Sequence, residues 1–152
     1  MPAPLSEAEY DFIEQLGLAA EAGGLTRITA RIWALLVISE EALAPAEMAA
    51  LLQVSRGSIS MGLKALESLE LLNTRTRPGD RQKYFEMREQ PYTAMMQLQA
   101  RRASANLALV RAAMKRIEKP SAQKGLQDLE TFYNIVLEGH ANMLARLEGA
   151  SS

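Results

Sequence analysis

Almost the whole chain reads with helical periodicity, and one stretch does not. In "LLNTRTRPGDRQKYFEM" (Leu71 to Met87), Thr74 and Thr76 alternate with Arg75 and Arg77, and Lys83 and Phe85 alternate with Tyr84 and Glu86. Between the two runs lies Pro78-Gly79-Asp80. Alternation on both sides of a Pro-Gly turn predicts two short strands in a hairpin. No other segment gives a convincing strand signal, so the expected fold class is mainly α with one small β-hairpin.

The helices can be placed from their caps and apolar spacing. Ser6 caps a first helix with Glu7, Glu9 and Asp11 in its early turns; Phe12, Ile13, Leu16, Ala19 and Ala20 form its apolar face, and Gly23-Gly24 ends it. A second helix is predicted from near Thr26 to about Ser39, with Ile28, Ile32, Leu35 and Leu36 inward. A third, short helix follows Pro45 and carries Met48, Ala49, Leu51 and Leu52. Ser55 caps a fourth. Its buried face reads Ile59, Gly62, Leu63, Leu66 and Leu69; its opposite face reads Arg56, Gly57, Ser60, Met61 and Lys64. After the hairpin, Pro91 opens a long helix to about Lys119, with a seam of Met96, Ala103, Leu107, Val110, Met114 and Ile117, and Pro120 stops it. Ser121 caps a last helix, where Leu126, Leu129, Tyr133, Val136, His140, Met143 and Leu147 recur three and four residues apart.

Two short helices, a tight turn at Gln53-Val54-Ser55 and a hairpin are the plan of a winged helix-turn-helix. Ala49 and Ala50 allow the two short helices to cross closely. The second begins with its small, polar, basic end, which suits a helix that enters a major groove N-terminus first. The free N–H groups there also favour phosphate. Charge is distributed to match. The formal net charge of −1 combines net −6 over residues 1–53, net +8 over 54–124 and net −3 over 125–152. A basic middle between acidic ends points to a local polyanion-binding surface; solvated helix faces are the plainer alternative. The expected organisation is an N-terminal helix over 1–25 that supports dimerisation, a winged helix-turn-helix over 26–90, a long helical dimerisation region over 91–148, and a disordered tail over 149–152.

The segment "AEMAALLQVSRGSISMGLKALESLELLNTRTRPGDRQKYFEM" resembles the DNA-binding core of MarR-like regulators, and within them the GbsR-type branch associated with glycine betaine synthesis control. The shared features are V-S-[KR]-G-S-[IV]-S at the fourth helix, L-E-x-L-x-L-[LV] before the hairpin, and R-x-P-G-D-R-x-x-Y-[FY]-E within it. "FIEQLGLAAEAGGLTRITARIWALLVIS" is similar to the helices before that core. The resemblance covers roughly residues 10–90. One departure is Gln53, where such turns often hold glycine. The resemblance implies a homodimeric transcriptional regulator, expected to be a repressor; a symmetric dimer would bind palindromic half-sites of duplex DNA, and the expected location is the cytoplasm. By position, Ser55, Arg56, Ser58, Ser60 and Lys64 would face DNA from the recognition helix, and Arg75, Arg77, Arg81 and Lys83 from the wing. Asp80, an acid at the wing tip, would orient a neighbouring arginine or the turn. The branch includes regulators that respond to choline-like molecules, so Tyr10 and Trp33 are candidates for contact with a small-molecule effector through cation–π attraction.

Other chemistries find little support. The chain has no cysteine, which excludes disulfides and zinc–thiolate sites. One histidine builds no metal site, and no cofactor is expected. No nucleophile–base pair, glycine-rich phosphate loop or HExxH motif is present, so no catalytic residue is assigned. His140 lies in an apolar seam, where a satisfied structural role is expected over pH sensing. The N-terminus lacks the features of a signal peptide, and the longest apolar run, Trp33 to Ile38, is far short of a membrane span. A protein-docking winged helix without specific DNA binding is the alternative, because fold alone does not give function.

Overall fold

Three of the four helices before the hairpin begin at a capping side chain. A computed structural model describes residues 2–150. In α1 (Glu7–Ala22) the Ser6 hydroxyl accepts from the Glu9 amide at 3.2 Å, and the Glu9 carboxylate accepts from the Ser6 amide at 2.7 Å. This reciprocal box satisfies two donors that a helix start leaves unpaired. Thr26 caps α2 (Arg27–Ile38), and Ser55 caps α4 (Arg56–Ser68). Ala44, before α3 (Pro45–Leu52), has no capping side chain; the Glu47 carboxylate accepts from its amide at 2.8 Å instead.

The hairpin forms as expected. β1 (Leu72–Thr76) pairs antiparallel with β2 (Lys83–Met87), in a register running from Leu72 opposite Met87 to Thr76 opposite Lys83. A short third rung was not anticipated. Leu43 and Phe85 exchange two backbone hydrogen bonds, of 2.9 and 2.8 Å, which tie the far edge of β2 to the segment before α3. Two-stranded ribbons are marginal alone, and this tie fastens the hairpin to the helical core.

The chain divides into two compact units, one ending at Pro91 and the other starting at Tyr92. In the first, α2 is central and packs against both α1 and α4. Ile13, Ile32, Leu35, Met48, Leu52, Ile59 and Leu66 fill its core. α1, set apart in the sequence reading as residues 1–25, belongs to this unit. Its apolar face is narrower than expected: Ile13 and Gly17 are buried, whereas Phe12 and Ala19 are exposed. The contact with α2 runs along Gly17, where an added Cβ would stand 2.9 Å from Arg31 Cγ.

Gly62 sets the approach of α4 to α2. A Cβ there would clash with Ile32 Cδ1, well inside van der Waals contact distance, and meet the Ile28 carbonyl oxygen and Thr29 Cα at 3.5 Å. The two backbone contacts are ordinary ones, so it is the Ile32 δ-methyl that must move to admit a methyl group.

The second unit is an antiparallel helical hairpin, α5 (Pro91–Arg116) and α6 (Pro120–Ala150). Arg111 pairs with Glu130 at 3.1 Å, and Asn106 donates to the Tyr133 hydroxyl at 3.3 Å. Along α5, Thr93, Ala103, Leu107 and Val110 are buried; Met96 and Met114 are half-buried, and Ile117 lies beyond the helix end, exposed. Two boundaries differ from expectation. Pro120 is itself the first residue of α6, a position its ring favours, so Ser121 lies inside the helix rather than capping it. The helix also runs through Gly149 and Ala150, part of the expected tail, while residues 151 and 152 lie outside the described residues.

The single heptad-like stripe expected on α6 resolves into two adjoining ones. Leu126, Tyr133, Leu137, His140, Leu144 and Leu147 are half-buried on the side that carries the Glu130 and Tyr133 links to α5. Leu129, Phe132, Ile135 and Met143 form a neighbouring face that is 40–62% exposed.

Replacing Gly62 with Ala is expected to lower the unfolding free energy by about 1–3 kcal/mol through overpacking. Urea denaturation of the purified variant measures it, and a neutral result would show that the Ile32 side chain makes room without cost.

Candidate nucleic-acid interface

The turn between α3 and α4 fixes where α4 starts. Gln53 ends α3 in the left-handed conformation, φ 55° and ψ 48°, and the Val54 amide donates to the Ala49 carbonyl at 3.1 Å. A non-glycine residue in this region carries a cost of about 1 kcal/mol. α1 and α2 brace the turn from behind. The Arg31 guanidinium donates to the Glu14 carboxylate at 2.7 Å and to the Leu52 carbonyl at 3.0 Å, which satisfies a carbonyl at the α3 terminus. Arg27 binds the other Glu14 oxygen at 3.2 Å. The sequence reading missed this tie, because Glu14 and Arg31 lie seventeen residues apart on different helices.

With Ile59, Gly62, Leu63 and Leu66 buried, α4 turns Arg56, Gly57, Ser60, Met61 and Lys64 to solvent. Leu69, expected on the inner face, is half-buried at the helix end. Ser55 and Ser58 are occupied with each other: the Ser55 Oγ accepts from the Ser58 amide at 3.1 Å, and the two hydroxyls lie 3.0 Å apart. Their first task is to order the helix start.

The wing is held by a compact polar clamp. The Asp80 amide donates to the Arg77 carbonyl at 3.0 Å, closing a turn in which Gly79 has φ 76°. Positive φ at the third position of a Pro-Gly turn is the type II geometry, which glycine adopts without strain. The Asp80 carboxylate accepts from the Gln82 amide at 2.8 Å and from the Tyr84 hydroxyl at 2.6 Å. Arg77 in turn stacks its guanidinium 3.8 Å above the Tyr84 ring, a cation–π arrangement. Asp80 therefore does orient the turn, and it acts on Arg77 through Tyr84 rather than by an ion pair. The D-x-x-x-Y spacing was visible in the sequence, but only the hairpin register brings hydroxyl and carboxylate together.

The expected DNA-facing residues of the wing divide accordingly. Arg75 is bonded to Glu86 across the hairpin, so part of its charge is met within the protein. Arg77 is held on Tyr84, while Arg81 and Lys83 are exposed near the tip. Among the described residues, Arg56, Lys64, Arg81 and Lys83 stand in no ion pair.

The two effector candidates are not brought to one cavity. Tyr10 lines an open groove of about 380 Å³ with Glu14, Arg27, Arg31, Gln53 and Ser58; Trp33 is half-buried and is not part of that lining. Two guanidiniums against one carboxylate give this groove a charge that suits an anion rather than a quaternary ammonium. His140 also departs from the expectation of a satisfied structural histidine, since its Nδ1 is shielded and has no hydrogen-bond partner. No group of three metal-ligating side chains occurs among the described residues, and no helix there is long and apolar enough to cross a membrane.

The clamp makes the wing pH-sensitive at both ends of the scale. The Tyr84 hydrogen bond, then the Gln82 amide, hold the Asp80 carboxyl below the usual aspartate range; the bond to Asp80 pushes the Tyr84 hydroxyl above the usual tyrosine range. The Asp80 contribution is present above its unfolded-state pKa and lost as pH falls through the lowered folded value. The Tyr84 contribution is present below its unfolded-state pKa and lost as pH rises through the raised one. The Gln82 amide resonance is expected to titrate at a pH below the usual aspartate range, and Tyr84→Phe to move that midpoint upward; an NMR pH series checks both. Arg31→Ala is expected to cost about 1.5–3 kcal/mol of stability through loss of its charge-assisted hydrogen bonds, read from thermal or urea unfolding.

No protein-family model matches the chain, and no curated protein matches it in sequence. A solved structure described as a transcriptional regulator is similar in three dimensions, with a TM-score of 0.81 over 93% of this chain and 99% of that one, at 22% identity. The transcriptional regulator Tm0710 of Thermotoga maritima overlaps at a TM-score of 0.43, 18% identity, over 85% of this chain and 89% of its own. The adhesin competence repressor AdcR of Streptococcus pyogenes overlaps at 0.41, 19% identity, over 88% and 95%. The latter two scores are too low to carry an argument. The chain has a winged helix-turn-helix fold, and shares its fold over nearly its whole length with a solved transcriptional regulator.

Proposed function

We propose that the protein is a sequence-specific duplex-DNA-binding transcriptional repressor of the MarR-like, GbsR-type kind, acting in the cytoplasm as a homodimer on a palindromic operator. The observation that carries this reading is the distribution of unpaired cations. Arg56 and Lys64 on the slim face of α4, with Arg81 and Lys83 on the wing, stand in no ion pair among the described residues. α4 enters the major groove, where Arg56 and Ser60 reach base edges. The wing follows the backbone into the adjacent minor groove, with Arg77 held ready on Tyr84. Phosphate contacts supply the affinity and base contacts the sequence preference. The fold of the similar transcriptional regulator supports the assignment.

Dimerisation falls to the second unit. The exposed face of Leu129, Phe132, Ile135 and Met143, beside a shielded His140 Nδ1 without a partner, has the chemistry of a helix surface that a second copy covers. A small-molecule effector would act by changing the separation of the two recognition helices. Ile135→Lys is expected to shift the chain from dimer to monomer in sedimentation velocity and to weaken operator binding with it.

The test is binding to a labelled duplex from the protein's own upstream region at two salt concentrations, beside a scrambled duplex. A native-duplex preference with a log–log salt slope of about −0.9 per phosphate contact is expected. Arg81→Ala should weaken binding across all sequences, and Arg56→Ala should also change the preference. No binding at low salt would overturn the DNA reading and favour a protein-docking role for the winged helix.

A further inference from the structure

The exposed face of α4 holds two residues that its own fold does not explain. Met61 is 71% exposed on an otherwise polar, cationic surface between Ser60 and Lys64. The side chain adds nothing to the core where it stands, and burying it against a partner would be favourable. Gly57 lies one turn earlier on the same face. A Cβ there would meet only Ser55 Oγ, at 3.9 Å, which is ordinary contact. Its φ is not positive, so neither packing nor backbone geometry calls for glycine. Gly62, five residues on, shows the contrast, since there a Cβ would clash with Ile32 Cδ1 of α2. The surface at Gly57 is thus open to close approach from outside the chain.

The flanking charges indicate what approaches. Arg56 and Lys64 stand in no ion pair among the described residues, at either end of this patch. A cationic helix face with an apolar centre complements the major groove, whose walls are phosphate and whose floor carries one apolar group, the thymine 5-methyl. We propose that Met61 and the open surface at Gly57 form a seat for a thymine 5-methyl group, making Met61 a specificity-determining residue of the recognition helix. This rests on the DNA-binding reading above. The unbranched thioether adapts to the methyl without a rigid shape, and glycine lets the helix descend far enough for contact.

The experiment starts with selection from a random duplex library by the wild-type protein. A thymine is expected at one fixed position in each half-site. Replacing that thymine with uracil removes the methyl alone and is expected to weaken wild-type binding about four-fold, the effect of one buried methyl-sized group. Met61→Ala should bind thymine and uracil duplexes equally while keeping the wild-type melting temperature, as suits an exposed position. Gly57→Ala should keep or raise the melting temperature yet bind the selected duplex more weakly. Equal wild-type binding to thymine and uracil duplexes would overturn the assignment and leave DNA binding intact, as would a Met61→Ala protein that still prefers thymine. Failure of the wild type to enrich any duplex would overturn the DNA reading and this assignment together.

Discussion

The close crossing of α2 and α4 at Gly62 is the constraint on which the exposed surface depends. A helix that offers a polar, cationic face to solvent gains little stability from that face, so its other side must hold it in place. α4 does this with Ile59, Leu63 and Leu66 buried around a glycine that lets its backbone approach Ile28 and Thr29. Because a buried backbone fixes that approach, the direction of Arg56 and Lys64 is fixed by the core. Arg31 works to the same end from behind the turn. It exchanges the flexibility of a long cation for bonds to Glu14 and the Leu52 carbonyl, and its stem covers Gly17.

The wing meets the opposite difficulty. Its core is confined to Tyr84 and Phe85 of β2, and its tip carries like charges within a few residues of one another. Two acids resolve this. Asp80 bonds the Tyr84 hydroxyl and the Gln82 amide, Tyr84 offers its ring face to Arg77, and Glu86 takes up Arg75. Each interaction is modest at an exposed site, but together they restrict the turn and the arginine beside it. At the other end of the hairpin, the backbone rung between Leu43 and Phe85 adds to the anchorage that the buried Leu43 and Phe85 side chains supply.

Most of the fold was legible in the sequence because its signals are local. Caps at Ser6, Thr26 and Ser55, apolar spacing in α2 and α4, and alternation around Pro78-Gly79 are all read within a few residues. The errors arose where distant contacts decide. Phe12 fits a helical apolar stripe yet is exposed, because α1 meets α2 along Gly17. The α6 stripe merges two faces, because spacing of three and four residues does not tell which side a neighbour covers. For the candidate site, the basic residues could be named from position, but not their division into paired and unpaired. Arg75 looks equivalent to Arg81 in the sequence and differs only because Glu86 stands beside it in the hairpin.

That division bears on the alternative of solvated helix faces. The excess of cations over residues 54–124 is a sum, and a sum does not distinguish a footprint from charges balanced by their neighbours. Several of these cations are balanced: Arg75 by Glu86, Arg88 by Glu70, Arg111 by Glu130 and Lys124 by Asp128. Arg56 and Lys64 on α4 and Arg81 and Lys83 on the wing are not among them. Surface ion pairs are worth little to stability, so their absence here costs the fold almost nothing. What it does change is the potential outside the protein, because unpaired cations on one helix face and one turn add their fields instead of cancelling them. A solvated face would gain from interspersed acids. A face that must meet a polyanion is better without them, and Asp80, the acid at the wing tip, has its carboxylate turned to Tyr84 and Gln82.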